Sequence, residues 1–144
     1  MNAKEKSCGV ILILRKDDDE DRFLVLHQTD GHWSFPKGGI EEGEIPRESA
    51  IRELKEEARI TEVEFAELPN IINAYTFERN GKKYDKTVEL FIAFAKNDKI
   101  VIQESEVTDY KWATYGEAID LLSFESTKKV LETAQKYIKN GYSK

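Results

Sequence analysis

The stretch that most restricts the fold runs from Gly38 to Ile60, GGIEEGEIPRESAIRELKEEARI, a glycine-rich entrance followed by a helix with two chemically opposite faces. Pro46 suits a first helical position, Glu48 suits the positive N-terminal end, and alanine, leucine and long polar residues fill the interior, so a helix is predicted from Pro46 onward. At roughly 100° per residue, Glu53, Glu56 and Glu57 span about 100° of the circumference. Ala50, Ile51, Leu54 and Ala58 centre roughly 120° away, on a stripe suited to packing against a sheet. The acidic face is expected to be left free for other work.

Like charges this close cost a few tenths of a kcal/mol per exposed pair. Arg52, one turn before Glu56, relieves part of that, and a divalent cation would relieve more; hard oxygen ligands on a rigid helix suit Mg²⁺, Mn²⁺ or Ca²⁺ better than zinc. Taken alone, a Glu-rich helix is more often a solvated acidic face. The preceding segment changes that weighting. It runs Trp33-Ser34-Phe35-Pro36-Lys37-Gly38-Gly39 and then Glu41-Glu42-Gly43-Glu44, and its glycines allow positive φ and close approach of backbone to a ligand.

Gly38, five residues, Glu44, seven residues, then Arg52-Glu53-Leu54-Lys55-Glu56-Glu57 resembles the signature box of the Nudix hydrolases, which cleave nucleoside diphosphates linked to a further moiety. Arg59 stands where that family usually has glycine. A left-handed conformation there would cost a non-glycine residue roughly 1 kcal/mol, so the helix end is expected to be either strained or extended by a residue.

A chain of 144 residues is long enough for one domain with a proper core, expected over residues 1–144. Its 22 basic and 28 acidic residues give a net charge of −6, which argues against coating nucleic acid by bulk electrostatics but allows a few local cations to hold a small anion. Cys8 is the one cysteine, so an internal disulfide and a cysteine metal cluster are excluded, and the residue is expected inside the first strand. No apolar run is long enough to cross a bilayer as a helix; cytoplasmic residence, no membrane partner, and a monomer or weak dimer are the expectations.

Cys8–Leu14 and Phe23–Leu26 read as strands joined by the charged run Lys16–Arg22, a solvated turn rather than a calcium loop, since it lacks the glycine and spaced glutamate of an EF-hand. Val63–Leu68 alternates apolar and acidic residues. Asn80-Gly81 predicts a hairpin turn between Ile71–Phe77 and Thr87–Ala95, with Lys82–Asp85 open to lengthening the connection. A short strand is predicted at Asp109–Trp112, a short helix over Thr114–Leu122, and a longer helix from Ser126 to a stop at Gly141. A mixed sheet with helices on its faces satisfies this α+β pattern, and the Nudix resemblance implies an α/β/α sandwich.

For the site, the resemblance implies metal coordination by Glu53, Glu56 and Glu57, helped by a backbone carbonyl at Lys37 or Gly38, with Arg52 orienting a neighbouring carboxylate and Mg²⁺, or Mn²⁺, as the ion. The base is assigned to Glu57 and Glu53, with Glu106 as an extra ligand and Glu104 competing for that place. His32-Trp33-Ser34-Phe35-Pro36-Lys37-Gly38, Lys86-Thr87-Val88, and Glu106 followed by Tyr110-Lys111-Trp112, Phe124 and Lys128 are similar to the asymmetrical diadenosine tetraphosphate hydrolases, although Leu90 stands where those often have an aromatic. Lys37, Lys83 and Lys86 are expected to offer point charges to a polyphosphate, and Tyr75, Tyr84 or Phe124 a stacking face to adenine. For any single aromatic, core packing is the commoner role. His27 and His32 have no zinc spacing. The expected reaction is metal-dependent cleavage of diadenosine tetraphosphate to ATP and AMP; the alternatives are another nucleotide, such as the 5′ triphosphate end of RNA, or a nucleotide-sensing module without turnover.

Overall fold

The computed structural model describes residues 1–15 and 20–140. The elements run β1 (Ala3–Leu14), β2 (Arg22–Gln28), β3 (Trp33–Ser34), β4 (Lys37–Gly39), α1 (Pro46–Ala58), β5 (Val63–Phe65), β6 (Ile71–Arg79), β7 (Lys82–Ala95), β8 (Val107–Ala113), α2 (Tyr115–Leu121) and α3 (Glu125–Asn140). The acidic run at residues 16–19 and the helix stop at Gly141 lie outside the described residues.

β1 is buried residue after residue from Ser7 to Leu14, as a strand covered on both faces must be. Its alternate side chains feed two cores. Ile11 and Ile13 join Phe23, Val25, Leu90 and Ile92 beneath α2 and α3, whereas Cys8, Val10 and Leu12 join Leu24, Leu26, Phe91 and Ala93 beneath α1. Helices therefore cover both sides of one mixed sheet, the expected α/β/α arrangement. β7 lies parallel to β1 from Ala3↔Tyr84 to Ile13↔Phe94, β2 and β4 pair antiparallel with β1, β6 pairs with β7, and β8 pairs with β2.

The β6–β7 connection is the two residues Asn80 (φ 53°) and Gly81 (φ 77°), both positive as a type I′ hairpin requires. Lys82–Asp85 does not lengthen the connection; it continues β7, its backbone held in the ladder against β1 and β6. β1 likewise starts at Ala3 rather than Cys8, and only Val63–Phe65 of the alternating segment forms a strand. The glycine entrance differs from a simple turn, because Lys37–Gly39 is a strand in register with Gly9, Cys8 and Ser7.

α1 begins and ends as its sequence indicates. Glu48 accepts from the Ile45 main-chain N–H at 3.3 Å, a helix start without a side-chain acceptor on Ile45 itself. At the far end Arg59 takes the left-handed conformation, φ 58° and ψ 30°, and donates its N–H to the Lys55 carbonyl at 2.9 Å. Of the two expected outcomes, the structure has the strained one. The packed stripe is rotated from expectation: Ile51 is 38% exposed, and Ser49, Ala50, Glu53, Leu54, Glu57 and Ala58 are buried. Two of the three carboxylates thus turn inward rather than lying on a free face, because β4 leaves a gap beside them.

Candidate active site

That gap is Gly38. A Cβ on Gly38 would overlap the carboxylate carbon and both oxygens of Glu53, so the residue is glycine for want of space rather than for a positive φ. Glu53 and Glu57, four residues apart, stack on this inner face at 7% and 3% exposure. The Lys37 main-chain N–H donates to Glu57, yet Glu57 Oε1 is buried with no hydrogen-bond partner. Burial, and next the hydrogen-bonded and charged Glu53 beside it, push the Glu57 carboxyl up to about 9; the charge of Glu106 adds to the rise, while the Lys37 amide opposes it. An orphaned, buried oxygen is costly and calls for a cation.

Arg52 ties the entrance to the helix. Its Nε and Nη2 grip both oxygens of Glu44 at 2.6 and 3.1 Å, Nη1 donates to Glu53 Oε2 at 2.9 Å and Glu56 Oε1 at 3.1 Å, and Nη2 also donates to the Gly39 carbonyl at 2.8 Å. Hydrogen bonds from Arg52 hold the Glu44 carboxyl down at about 2. Buried Ser49 shares the Gly39 carbonyl, donating at 3.5 Å.

The segment before β8 docks on the C-terminal end of α1. Val101 and Gln103 donate their N–H groups to the carbonyls of Ala58 and Glu57, and the Glu106 carbonyl accepts from Thr29 beyond β2. Glu106 is thereby brought close enough to Glu57 to act on it electrostatically, with its own residue exposed. Glu104 sits exposed on the same segment.

Next to the carboxylates opens a cleft of about 600 Å³ whose walls include Lys37, Lys86, Tyr75, His32 and Phe124. Lys37 belongs to both places, its side chain lining the cleft and its amide on Glu57. Lys86 is half-buried, and burial, then the nearby charge of Lys37, lowers its pKa. The rings of His32 and Phe124 lie 4.6 Å apart and tilted by 49°. Of the remaining expected binders, Tyr84 does not line the cleft but stacks on Phe77, ring centres 5.3 Å apart. Lys83 does not join either; it pairs in register with Glu78 and, by strand alternation, faces away from Tyr84 and Lys86.

Residues not singled out in the sequence also build the site. Arg79 and Asn73 line the cleft, and Ser123 holds Phe124 in place by accepting from the Trp33 N–H at 2.8 Å and donating its own N–H to the Trp33 carbonyl at 3.3 Å. The one sequence signal for Arg79 was its place just before Asn80-Gly81; nothing local marked Ser123. Among the described residues no three His, Cys, Asp or Glu side chains are gathered as a ready metal cluster, since Glu56 is drawn onto Arg52. The fit to a hard divalent ion rests on the buried pair Glu53 and Glu57 and on the orphaned Oε1, a set of oxygen donors with charge to neutralise.

A family model described as NUDIX domain matches residues 6–134. The chain is 33% identical over 143 residues to the bis(5′-nucleosyl)-tetraphosphatase [asymmetrical] of Mus musculus, covering 92% of this chain and 95% of that protein. It is 32% identical over 145 residues to an RNA pyrophosphohydrolase of a Sulfurovum species, covering 92% of each. Among solved structures, a binary complex of the Ap4A hydrolase of C. elegans superposes with a TM-score of 0.82 at 26% identity, covering 94% of this chain and 98% of that one.

Proposed function

The chain belongs to the Nudix family of pyrophosphohydrolases, and from that premise we propose that it hydrolyses diadenosine tetraphosphate asymmetrically to ATP and AMP. The observation that carries the reading is the junction at Lys37, where a buried carboxylate pair with an orphaned oxygen meets a cleft lined by cations and aromatic rings. Nudix hydrolases generally use divalent ions; here Mg²⁺, or Mn²⁺ in its place, would be held by Glu53 and Glu57, with Glu56 and the Gly38 carbonyl as further donors. When bound, such an ion screens phosphate charge and acidifies water.

The chain's own groups do the rest. Lys37 and Lys86 offset the negative charge of the phosphate chain, and the half-buried state of Lys86 strengthens each contact it makes. Adenine stacks beside Phe124 and Tyr75. Arg52 orients Glu53 and fixes the entrance through Glu44. Glu53 and Glu57 would be engaged by the ion, which leaves Glu106, exposed on its docked segment, to accept the attacking water's proton. Water forms a new P–O bond at one phosphorus, a P–O–P bond breaks, and the leaving phosphate carries away the electron pair.

Incubation with diadenosine tetraphosphate and Mg²⁺, followed by separation of nucleotides, tests the reading. ATP and AMP in equal amounts support it, two ADP per substrate contradict the regiochemistry, and bound but unreacted substrate identifies a sensing module. Glu57→Gln is expected to lower kcat by about a hundredfold or more while the fold persists, and Glu106→Gln to lower kcat by about 10²-fold with metal binding retained. The 32% identity to an RNA pyrophosphohydrolase favours a second reading, removal of phosphate from triphosphate-ended RNA. A net charge of −6 offers a nucleic-acid strand little attraction, and the same assay with a triphosphate-ended oligonucleotide decides between them.

A further inference from the structure

Three neighbouring strands place Glu5, Lys86 and Tyr75 side by side. Glu5 of β1 is in register with Lys86 of β7, which is in register with Tyr75 of β6, so the three side chains share one face of the sheet. Two residues further along β6, Phe77 stacks on Tyr84, and Arg79 follows on the same face with its guanidinium 4.5 Å from the Tyr84 ring centre. Arg79 is ion-paired with Glu5, and Lys86 Nζ lies 3.8 Å from the other Glu5 oxygen. Arg79 and Lys86 line the cleft, and Glu5, beside Lys86 on the next strand, is not among its lining residues. A single carboxylate thus bridges two cleft cations, in the bidentate manner of a phosphate.

We infer that Arg79 and Lys86 form one phosphate-binding subsite of the cleft, and that Glu5 occupies it as an internal anion which the substrate's phosphate chain displaces. The inference rests on the reading of this cleft as the seat of a polyphosphate. Glu5 is a positioning residue: it keeps two cations from repelling each other, holds Arg79 back over its aromatic shelf, and opposes substrate by the strength of its own pairs. Those pairs are partly exposed, the Arg79 and Glu5 side chains at 51% and 31%, so they are weak enough to exchange for a ligand.

Equilibrium binding of inorganic tripolyphosphate to the full chain, with Mg²⁺ held constant, tests the subsite without requiring turnover. Glu5→Gln is expected to tighten binding about threefold to fivefold, and Arg79→Gln to weaken it by about as much or more. In the double variant the gain from Glu5→Gln is expected to shrink markedly, since half of what Glu5 restrained is gone. In turnover assays the same changes should appear in KM with kcat within about twofold, which a merely structural role would not produce; Arg79→Lys should recover only part of the binding. Unaltered or weaker tripolyphosphate binding by Glu5→Gln in a folded protein overturns the inference, as does an Arg79→Gln variant that binds like the parent. Absence of nucleotide hydrolysis with these binding shifts intact would instead defeat the proposed reaction and leave the subsite standing.

Discussion

Glu57 is the residue whose physics is most exposed to test. Its folded pKa, about 9, lies above the ordinary value of 4.5, so between those values the folded protein binds a proton that the unfolded chain has released. Stability from this group is therefore full below about pH 4.5 and falls as pH rises towards 9. Thermal melts in a chelator should show that decline, and Glu57→Gln should flatten it; an unchanged slope would mean the decline comes from elsewhere. Divalent ions need the carboxylate, so they must displace the proton, and their stabilising effect should grow across the same window. Arg59 makes a smaller prediction. Its left-handed φ of 58° costs roughly 1 kcal/mol, which Arg59→Gly relieves, less what glycine loses by loosening the unfolded chain. A gain of a few tenths to about 1 kcal/mol in urea unfolding is expected, with kcat unchanged, because Arg59 leaves Glu53 and Glu57 where they are.

Elements were legible where pattern and length agree. α1 announced itself through Pro46, its periodicity and the glutamate spacing, and the hairpin through Asn80-Gly81, whose two positive φ angles are what that dipeptide tolerates. β3 and β4, of two and three residues, carry no periodicity to read. Ala3–Ser7 is strand through its ladder with Tyr84–Val88 of β7, and Lys82–Lys86 through its ladder with Tyr75–Arg79 of β6; the charged residues of both stretches otherwise suggest loop. The site divides along the same line. Carboxylates on one helix are a local pattern, but the rotation that buries Glu53 depends on the space above Gly38, and the anchoring of Phe124 depends on Trp33, distant in sequence. That anchor gives a prediction at this scale. Ser123→Ala removes one hydrogen bond between the α2–α3 connection and β3, worth about 0.5–1.5 kcal/mol. KM for an adenine-bearing substrate should rise up to about tenfold with kcat little changed, and tripolyphosphate, which has no ring to stack, should bind as before; equal losses for both would show that the connection serves the whole cleft.

At the scale of the whole molecule two fields compete for an anionic substrate. The chain carries a net charge of −6, yet Lys37, Lys86 and Arg79 meet in a cleft whose charged walls otherwise include only Asp30 and Glu125 among the described residues. The repulsion comes from charges spread over a surface and is screened beyond about 10 Å at 0.1 M salt, whereas the cleft cations act at contact from a partly desolvated wall. If the local field governs capture, kcat/KM for diadenosine tetraphosphate falls as sodium chloride rises from about 0.05 to 0.5 M, and does so through KM. Lys86→Gln should lower kcat/KM at low and high salt alike and leave its salt dependence nearly unchanged, because the half-buried cation is the one that bulk ions screen least well. A rate that climbs with salt would assign control to the global charge, and the cleft would then bind substrate through stacking and the metal rather than through its cations.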